Sequence, residues 1–128
     1  MSKMSLSKNE RLKSRKSIEF LFQEGKSFAK YPIRVVYNFQ EKAEDNIPVL
    51  FGVTVSKRNF KSAPHRNRIK RLIREAFRTQ CLELREAVKP LDKQLILMML
   101  FQGKTLPNYN EVKESVAYLI NGLTKKIK

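Results

Sequence analysis

The chain has one histidine, one cysteine, no tryptophan and two aspartates among its 12 acidic residues. Each shortage excludes something. With His65 alone, no histidine acid–base pair and no histidine metal cluster can form. With Cys81 alone, no internal disulfide can form. Metal-assisted hydrolysis of a phosphodiester needs clustered carboxylates. Here Asp45 and Asp92 each fall in an expected loop, and the glutamates are scattered over amphipathic segments. No catalytic residue and no metal site of the protein's own is expected. His65 reads as a helix-start residue, and Cys81 as a buried thiol. Long apolar runs are also missing. The longest, Leu95–Phe101, is far short of the ~20 residues of a membrane-spanning helix, so no membrane partner is expected. The opening MSKMSLSKNERLK has no apolar core of a signal peptide. A reducing, cytoplasmic setting fits.

Negative charge is scarce as well. Against 12 acids stand 27 lysines and arginines, a formal net charge of +15 on 128 residues. Self-repulsion of that size costs stability unless a polyanion neutralises it. Nucleic acid is the first expected partner and an anionic membrane surface the second. The charge is concentrated in Ser56–Phe77, SKRNFKSAPHRNRIKRLIREAF, where Lys57, Arg58, Lys61, Arg66, Arg68, Lys70, Arg71 and Arg74 face one acid, Glu75. Within it Ile69, Leu72, Ile73, Ala76 and Phe77 recur at helical spacing, which predicts an apolar face. Asn67, Lys70, Arg71, Arg74 and Arg78 fall on the opposite face. A solvated helix would interleave Glu with Lys at i, i+4. This one holds a rigid cation array suited to phosphates.

The rest reads as one small α+β domain over residues 11–128, after a polar tail, 1–10, expected to be disordered. Ser14 or Ser17 can cap a first helix striped by Ile18, Leu21 and Phe22, and Gly25 can end it in the left-handed conformation. Lys26–Ala29 reads as a short strand. Pro32–Phe39 alternates, with Ile33, Val35, Tyr37 and Phe39 on one face and Arg34 on the other. Glu41–Asn46 is an acidic turn. Val49–Ser56 alternates again, with Phe51, Val53 and Val55 inward. The basic helix is expected from about His65 to Ala87, before Pro90. The unbroken apolar run Gln94–Phe101 predicts an inner strand covered on both faces. Asn108 and Glu111 form a capping-box-like pair ahead of a helix striped by Val112, Val116, Leu119, Ile120, Leu123 and Ile127. The order is α-β-β-β-α-β-α.

At Arg66-Asn67-Arg68, continued by Ile69-Lys70-Arg71-Leu72 and preceded by the strand Val53-Thr54-Val55-Ser56-Lys57, the chain resembles the protein subunit of bacterial ribonuclease P. Phe20-Leu21-Phe22 and Gly25-Lys26-Ser27-Phe28 extend the resemblance. The loop Asn59–His65 departs from it, with Lys61 and Pro64 where many members have Gly or Val. The resemblance implies a small two-layer sandwich like the second domain of ribosomal protein S5, with a left-handed crossover around the basic helix. Chain topology rules alone favour a right-handed one. It implies a non-catalytic subunit that binds a catalytic RNA, which itself holds the catalytic Mg²⁺. Binding would run through Arg66, Asn67, Arg68, Lys70, Arg71 and Arg74, with Lys57 and Arg58 beside them. It implies precursor tRNA as the second partner and requires no protein partner.

The resemblance also implies a cleft, between the first helix and the sheet, for the 5′ leader of precursor tRNA. An exposed Phe20 beside Arg15 and Lys16 suits stacking on a single-stranded base. Phe22 aligns with Ile18 and Leu21, which reads as core packing, although it could extend the aromatic surface. Tyr37 and Arg34 lie on opposite strand faces, so at most one can line that cleft. The candidate leader residues are Lys16, Phe20, Phe22 and Tyr37. The alternative is a structural ribosomal protein or general RNA-binding module. A cationic amphipathic helix on a membrane is a weaker third reading, because sheet packing would consume its apolar face.

Overall fold

The computed structural model describes residues 10–42 and 46–127. Most of the expected tail and the middle of the acidic turn, including Asp45, lie outside the described residues. Eight elements follow in order: α1 (Arg15–Glu24), β1 (Lys26–Lys30), β2 (Ile33–Glu41), β3 (Val49–Val55), α2 (Ala63–Gln80), α3 (Leu82–Val88), β4 (Lys93–Phe101) and α4 (Tyr109–Ile127).

The strands form one sheet in the order β1-β2-β4-β3. β1 and β2 are an antiparallel hairpin, β2 and β4 are antiparallel, and β3 runs parallel to β4. The path β3–α2–α3–β4 is therefore a crossover that carries the basic helix over the sheet. β4 is an inner strand whose residues Gln94–Met99 are all buried, as its continuous apolar run predicts.

Alternation sends the side chains to two different fates. Ile33, Val35, Val49, Phe51, Val55, Leu95, Leu97, Met99 and Phe101 join the stripes of α2, α3 and α4 in the main core. Val36, Ile96 and Met98, on the other face, meet Leu21 of α1 and Leu12, with Ile18, Leu50 and Leu100 partly buried against them. So one face is roofed by three helices, and the other is covered by one ten-residue helix together with Leu12. A polar chain ties that helix down. The Ser17 hydroxyl donates to Gln40 Oε1 at 2.9 Å, Gln40 Nε2 to Gln94 Oε1 at 2.7 Å, and Gln94 Nε2 to the Ile47 carbonyl at 2.8 Å.

Four expectations need correction. The predicted helix 65–87 is two helices that meet at Cys81. The Thr79 hydroxyl donates to the carbonyls of Glu75 and Ala76, and Gln80 Nε2 donates to that of Ala76. Such back-bonding competes with the helix ladder and bends it. Gly25 is not left-handed. Its φ is −76°, and it is needed because a Cβ there would lie 2.2 Å from the Leu21 carbonyl oxygen. Phe22 is not core. Leu21, with Ile18 partly buried beside it, fills the contact between α1 and the sheet, and Phe22, a further 100° around the helix from Leu21, is 49% exposed. Glu10, placed in the tail, forms an ion pair with Arg85 at 2.6 Å.

Other expectations hold. The Ser14 side chain caps α1, Asn108 Oδ1 accepts from the Glu111 backbone at 2.8 Å, and Cys81 is buried.

Candidate nucleic-acid interface

α2 begins where a short turn leaves β3. The turn is anchored from below by Phe60, buried and 5.8 Å from the Phe101 ring. The Phe60 backbone donates to the Ser56 carbonyl at 3.1 Å, and the Arg58 backbone to Ser56 Oγ at 3.1 Å. Pro64 falls in the first helical turn, where a missing N–H costs nothing. Lys57, Arg58 and Lys61 are thereby held exposed at the mouth of the helix.

Along α2 the two faces separate cleanly. Ile69, Ile73, Ala76 and Phe77 are fully buried, and Phe77 stacks on Phe51 with ring centroids 3.9 Å apart. Burying each large side chain contributes about 1.5–3 kcal/mol. Leu72 is half-buried at the margin. Asn67, Arg68 and Arg71 are exposed, and Lys70 and Arg74 are half-exposed. None of Arg68, Lys70, Arg71 and Arg74 forms an ion pair with another described residue. Glu75 is engaged by Arg78, whose Nε donates to it at 3.0 Å, and that bond pulls the Glu75 carboxyl below its ordinary range. The one acid of α2 is thus taken up by the last arginine. The first turn holds no acid, although acids there complement the helix dipole by about 0.3–1 kcal/mol. Stability alone would not select this arrangement.

Arg66 behaves differently from its neighbours. Its Nη1 donates to the carbonyls of Phe60, at 2.7 Å, and Lys61, at 3.0 Å. It braces the turn against the helix and still leaves other guanidinium N–H groups available.

A second basic feature adjoins the first. Arg11 bridges to Phe51, and the Leu12 backbone donates to the Phe51 carbonyl at 2.9 Å, so residues 11–12 run along β3. This brings Arg11 beside the half-buried Arg74. Burial, and then the like charge of Arg11, push the Arg74 guanidinium below its ordinary value. The two arginines edge a cleft of about 450 Å³, lined also by Lys13, Ile18, Gly52, Thr54 and Met98. It opens between α1 and the less covered face of the sheet.

None of the four candidate leader residues lines it. Ile18 lines the cleft, and Phe22, four residues on, continues the same helix stripe. Phe20, 38% exposed, shares the opposite flank of α1 with exposed Lys16. Tyr37 is on the other face of the sheet, packed edge-on against Phe28 at 6.0 Å. Arg34 is on the α1 side, where its Nη1 donates to Ser27 Oγ at 3.0 Å. Arg11 and Lys13 were not singled out from the sequence, where the only signal was two cations flanking an apolar Leu12. Among the described residues no three His, Cys, Asp or Glu side chains converge as metal ligands, and no helix is long and apolar enough to cross a membrane.

A sequence model of the ribonuclease P family matches residues 6–124. The chain belongs to the family of bacterial ribonuclease P protein components. The ribonuclease P protein component of Porphyromonas gingivalis is 34% identical over 111 residues, covering 87% of this chain and 80% of the relative. That of Syntrophus aciditrophicus is 44% identical over 79 residues, 61% of each chain. Among solved structures, the RNase P protein from Thermotoga maritima superposes with a TM-score of 0.64 at 24% identity, covering 91% of this chain and 96% of that one. The Staphylococcus aureus RNase P protein gives 0.63 at 22%, covering 88% and 93%. At such identities these structures speak for the fold, and the fold of this family member agrees with theirs.

Proposed function

We propose that this chain is the protein subunit of a tRNA-processing endoribonuclease, ribonuclease P, and that it docks on the catalytic RNA through the cationic face of α2. The observation that carries this reading is the division of α2: four side chains fully buried below, and Arg68, Lys70, Arg71 and Arg74 above without an acidic partner among the described residues. Family membership names the RNA that such a face would meet. Arg66, Asn67, Lys57 and Arg58 extend the surface at the start of the helix. The holoenzyme would cut the phosphodiester that joins the 5′ leader to the mature tRNA, with Mg²⁺ held by the RNA. The protein's part is binding and positioning, in the cytoplasm.

The cleft beside Arg11 and Arg74 suits the single-stranded leader, because it offers cations for phosphates and an apolar wall for bases. Neither Phe20 nor Phe22 lines it, but Phe22 continues the stripe of cleft-lining Ile18 and so lies on the flank of α1 nearer to it. The test compares holoenzyme affinity for precursor tRNA carrying a one-nucleotide leader with affinity for a longer one. Phe22→Ala should shrink the advantage of the longer leader more than Phe20→Ala does. An advantage that survives both substitutions together with Arg11→Ala places the leader elsewhere. The subunit reading itself is tested with purified chain, precursor tRNA and Mg²⁺, with and without the catalytic RNA. Cleavage is expected only with the RNA. Cleavage by the protein alone, abolished by one carboxylate substitution, would overturn it. Copurification of ribosomal RNA in place of one catalytic RNA would favour a structural ribosomal role.

A further inference from the structure

A second aromatic and cationic surface lies at the β1 edge of the sheet, away from the cations of α2. The sheet order puts β1 and β3 at opposite edges. α2 packs on β3 and on α4, whereas β1 is met by α4. Between β1 and the outer stripe of α4 runs a cleft of about 510 Å³ lined by Phe28, Tyr118, Asn121, Gly122, Lys125 and Lys126. No carboxylate lines it. The Lys30 ammonium stands 5.2 Å from the Tyr118 ring centroid, and that of Lys126 stands 5.4 Å from Phe28. The Ser115 hydroxyl donates to the Lys30 carbonyl and fixes the end of β1 against α4. Gly122 lets Phe28 lie on the helix, because a Cβ there would meet the ring at 2.9 Å.

The groove is thus built rather than incidental. Its floor is an aromatic ring seated on glycine, and its wall is a tyrosine left 54% exposed. Lysines in the last turn of α4 complement the helix dipole. That accounts for Lys125 and Lys126, but not for Lys30 on a strand or for Tyr118 in mid-helix. An exposed ring among cations that form no ion pair with another described residue, in a groove that no carboxylate lines, matches a chain of alternating bases and phosphates. We propose that this groove is a second binding site for single-stranded RNA, with a base stacked on Tyr118 and phosphates on Lys30, Lys125 and Lys126. The site is separate from the α2 surface, so the docking proposed above can stand or fall without it.

The chain has no tryptophan, so Tyr118→Trp makes a unique local reporter in the full-length protein. Adding a short oligouridylate should quench its fluorescence saturably, and the quench should persist in an Arg68→Ala/Arg71→Ala background. In anisotropy measurements with the labelled oligouridylate in that background, Tyr118→Ala should weaken binding roughly fivefold or more, the loss expected for one stacked base. Tyr118→Phe should restore it. The salt dependence should stay unchanged, because no charge is lost. Lys125→Ala/Lys126→Ala should flatten that dependence. Tyr118 is exposed, so its variants should melt like wild type. Fluorescence of the Tyr118→Trp variant that stays unquenched, or full oligouridylate affinity in folded Tyr118→Ala, overturns the proposal.

Discussion

The two long faces of α2 obey opposite rules. Below, Ile69, Ile73, Ala76 and Phe77 belong to the main core, where α2 packs on β3 and α4. Above, Arg68, Lys70, Arg71 and Arg74 form no ion pair with another described residue. The lower face shows what this protein commits to folding. The upper face shows what it withholds from folding, since like charges at i, i+3 and i+4 each weaken a helix by about 0.2–0.5 kcal/mol. Substitutions on one face should therefore change stability without a specific effect on binding. Substitutions on the other should do the reverse.

The largest effect should come from the lower face. Ile73→Asp places a carboxylate where no water and no partner reaches. It should unfold a domain whose total stability is of the order of 5–15 kcal/mol. Phe77→Ala removes the ring stacked on Phe51 and should cost about 3–5 kcal/mol. Denaturant melts check both. If Ile73→Asp melts like wild type, α2 is not seated as described.

Next come Arg68→Ala and Arg71→Ala. Both residues are exposed, so melting should not fall, and relief of the like-charge pairs should raise it slightly. Each lost phosphate contact should reduce the log–log salt slope of catalytic-RNA binding by about 0.7–0.9. Wild-type binding at every salt concentration by both variants would remove α2 as the RNA face and erase the contrast between its faces.

That contrast was legible in sequence because it is periodic. A 3.6-residue rhythm marks Ile69, Ile73 and Phe77 whatever they pack against, and the seven-residue run Leu95–Phe101 marks an inner strand by its length and its lack of polar interruption. What was not legible depends on contacts between distant segments. The break at Cys81 escaped because Phe77, Cys81, Leu84 and Val88 keep helical spacing straight through it. Only the side-chain bonds of Thr79 and Gln80 reveal the bend. Phe22 was misplaced because a short helix resting on Leu21 has a much narrower buried stripe than periodicity suggests. Arg11 joined the site only through its bridge to Phe51, forty residues along in numbering, and no local pattern encodes that pairing.

Arg66 lies between the two regimes. Its charge belongs to the upper face, but its Nη1 bonds serve the fold. Arg66→Ala should lower stability by about 1–3 kcal/mol, because two turn carbonyls lose a charged donor, and should weaken RNA binding as well. Arg66→Lys keeps the charge but not the planar fork. It should preserve the salt slope and recover only part of the melting temperature. Full recovery of both by lysine would mean that the brace is dispensable.

The smallest effect, and the only one expected to run the other way, concerns Glu75. It occupies Arg78, so the last turn of α2 is nearly neutral where the earlier turns are cationic. Glu75→Gln should release Arg78, strengthen catalytic-RNA binding slightly and steepen its salt dependence by less than one full phosphate contact. Arg78→Ala should cost less affinity than Arg68→Ala. Protonation should mimic Glu75→Gln only in acid. The bond from Arg78 depresses the folded Glu75 pKa. Its small contribution to stability is therefore present above the ordinary glutamate range and disappears as pH falls through the depressed folded value. Between neutral pH and pH ~5, still above the ordinary glutamate value, the Glu75 pair should leave RNA affinity unchanged. A wild-type affinity that rises as pH falls through the ordinary glutamate value of about 4.3, with no such rise in Glu75→Gln, would show the pair to be broken in solution. The cationic face would then extend to the end of the helix.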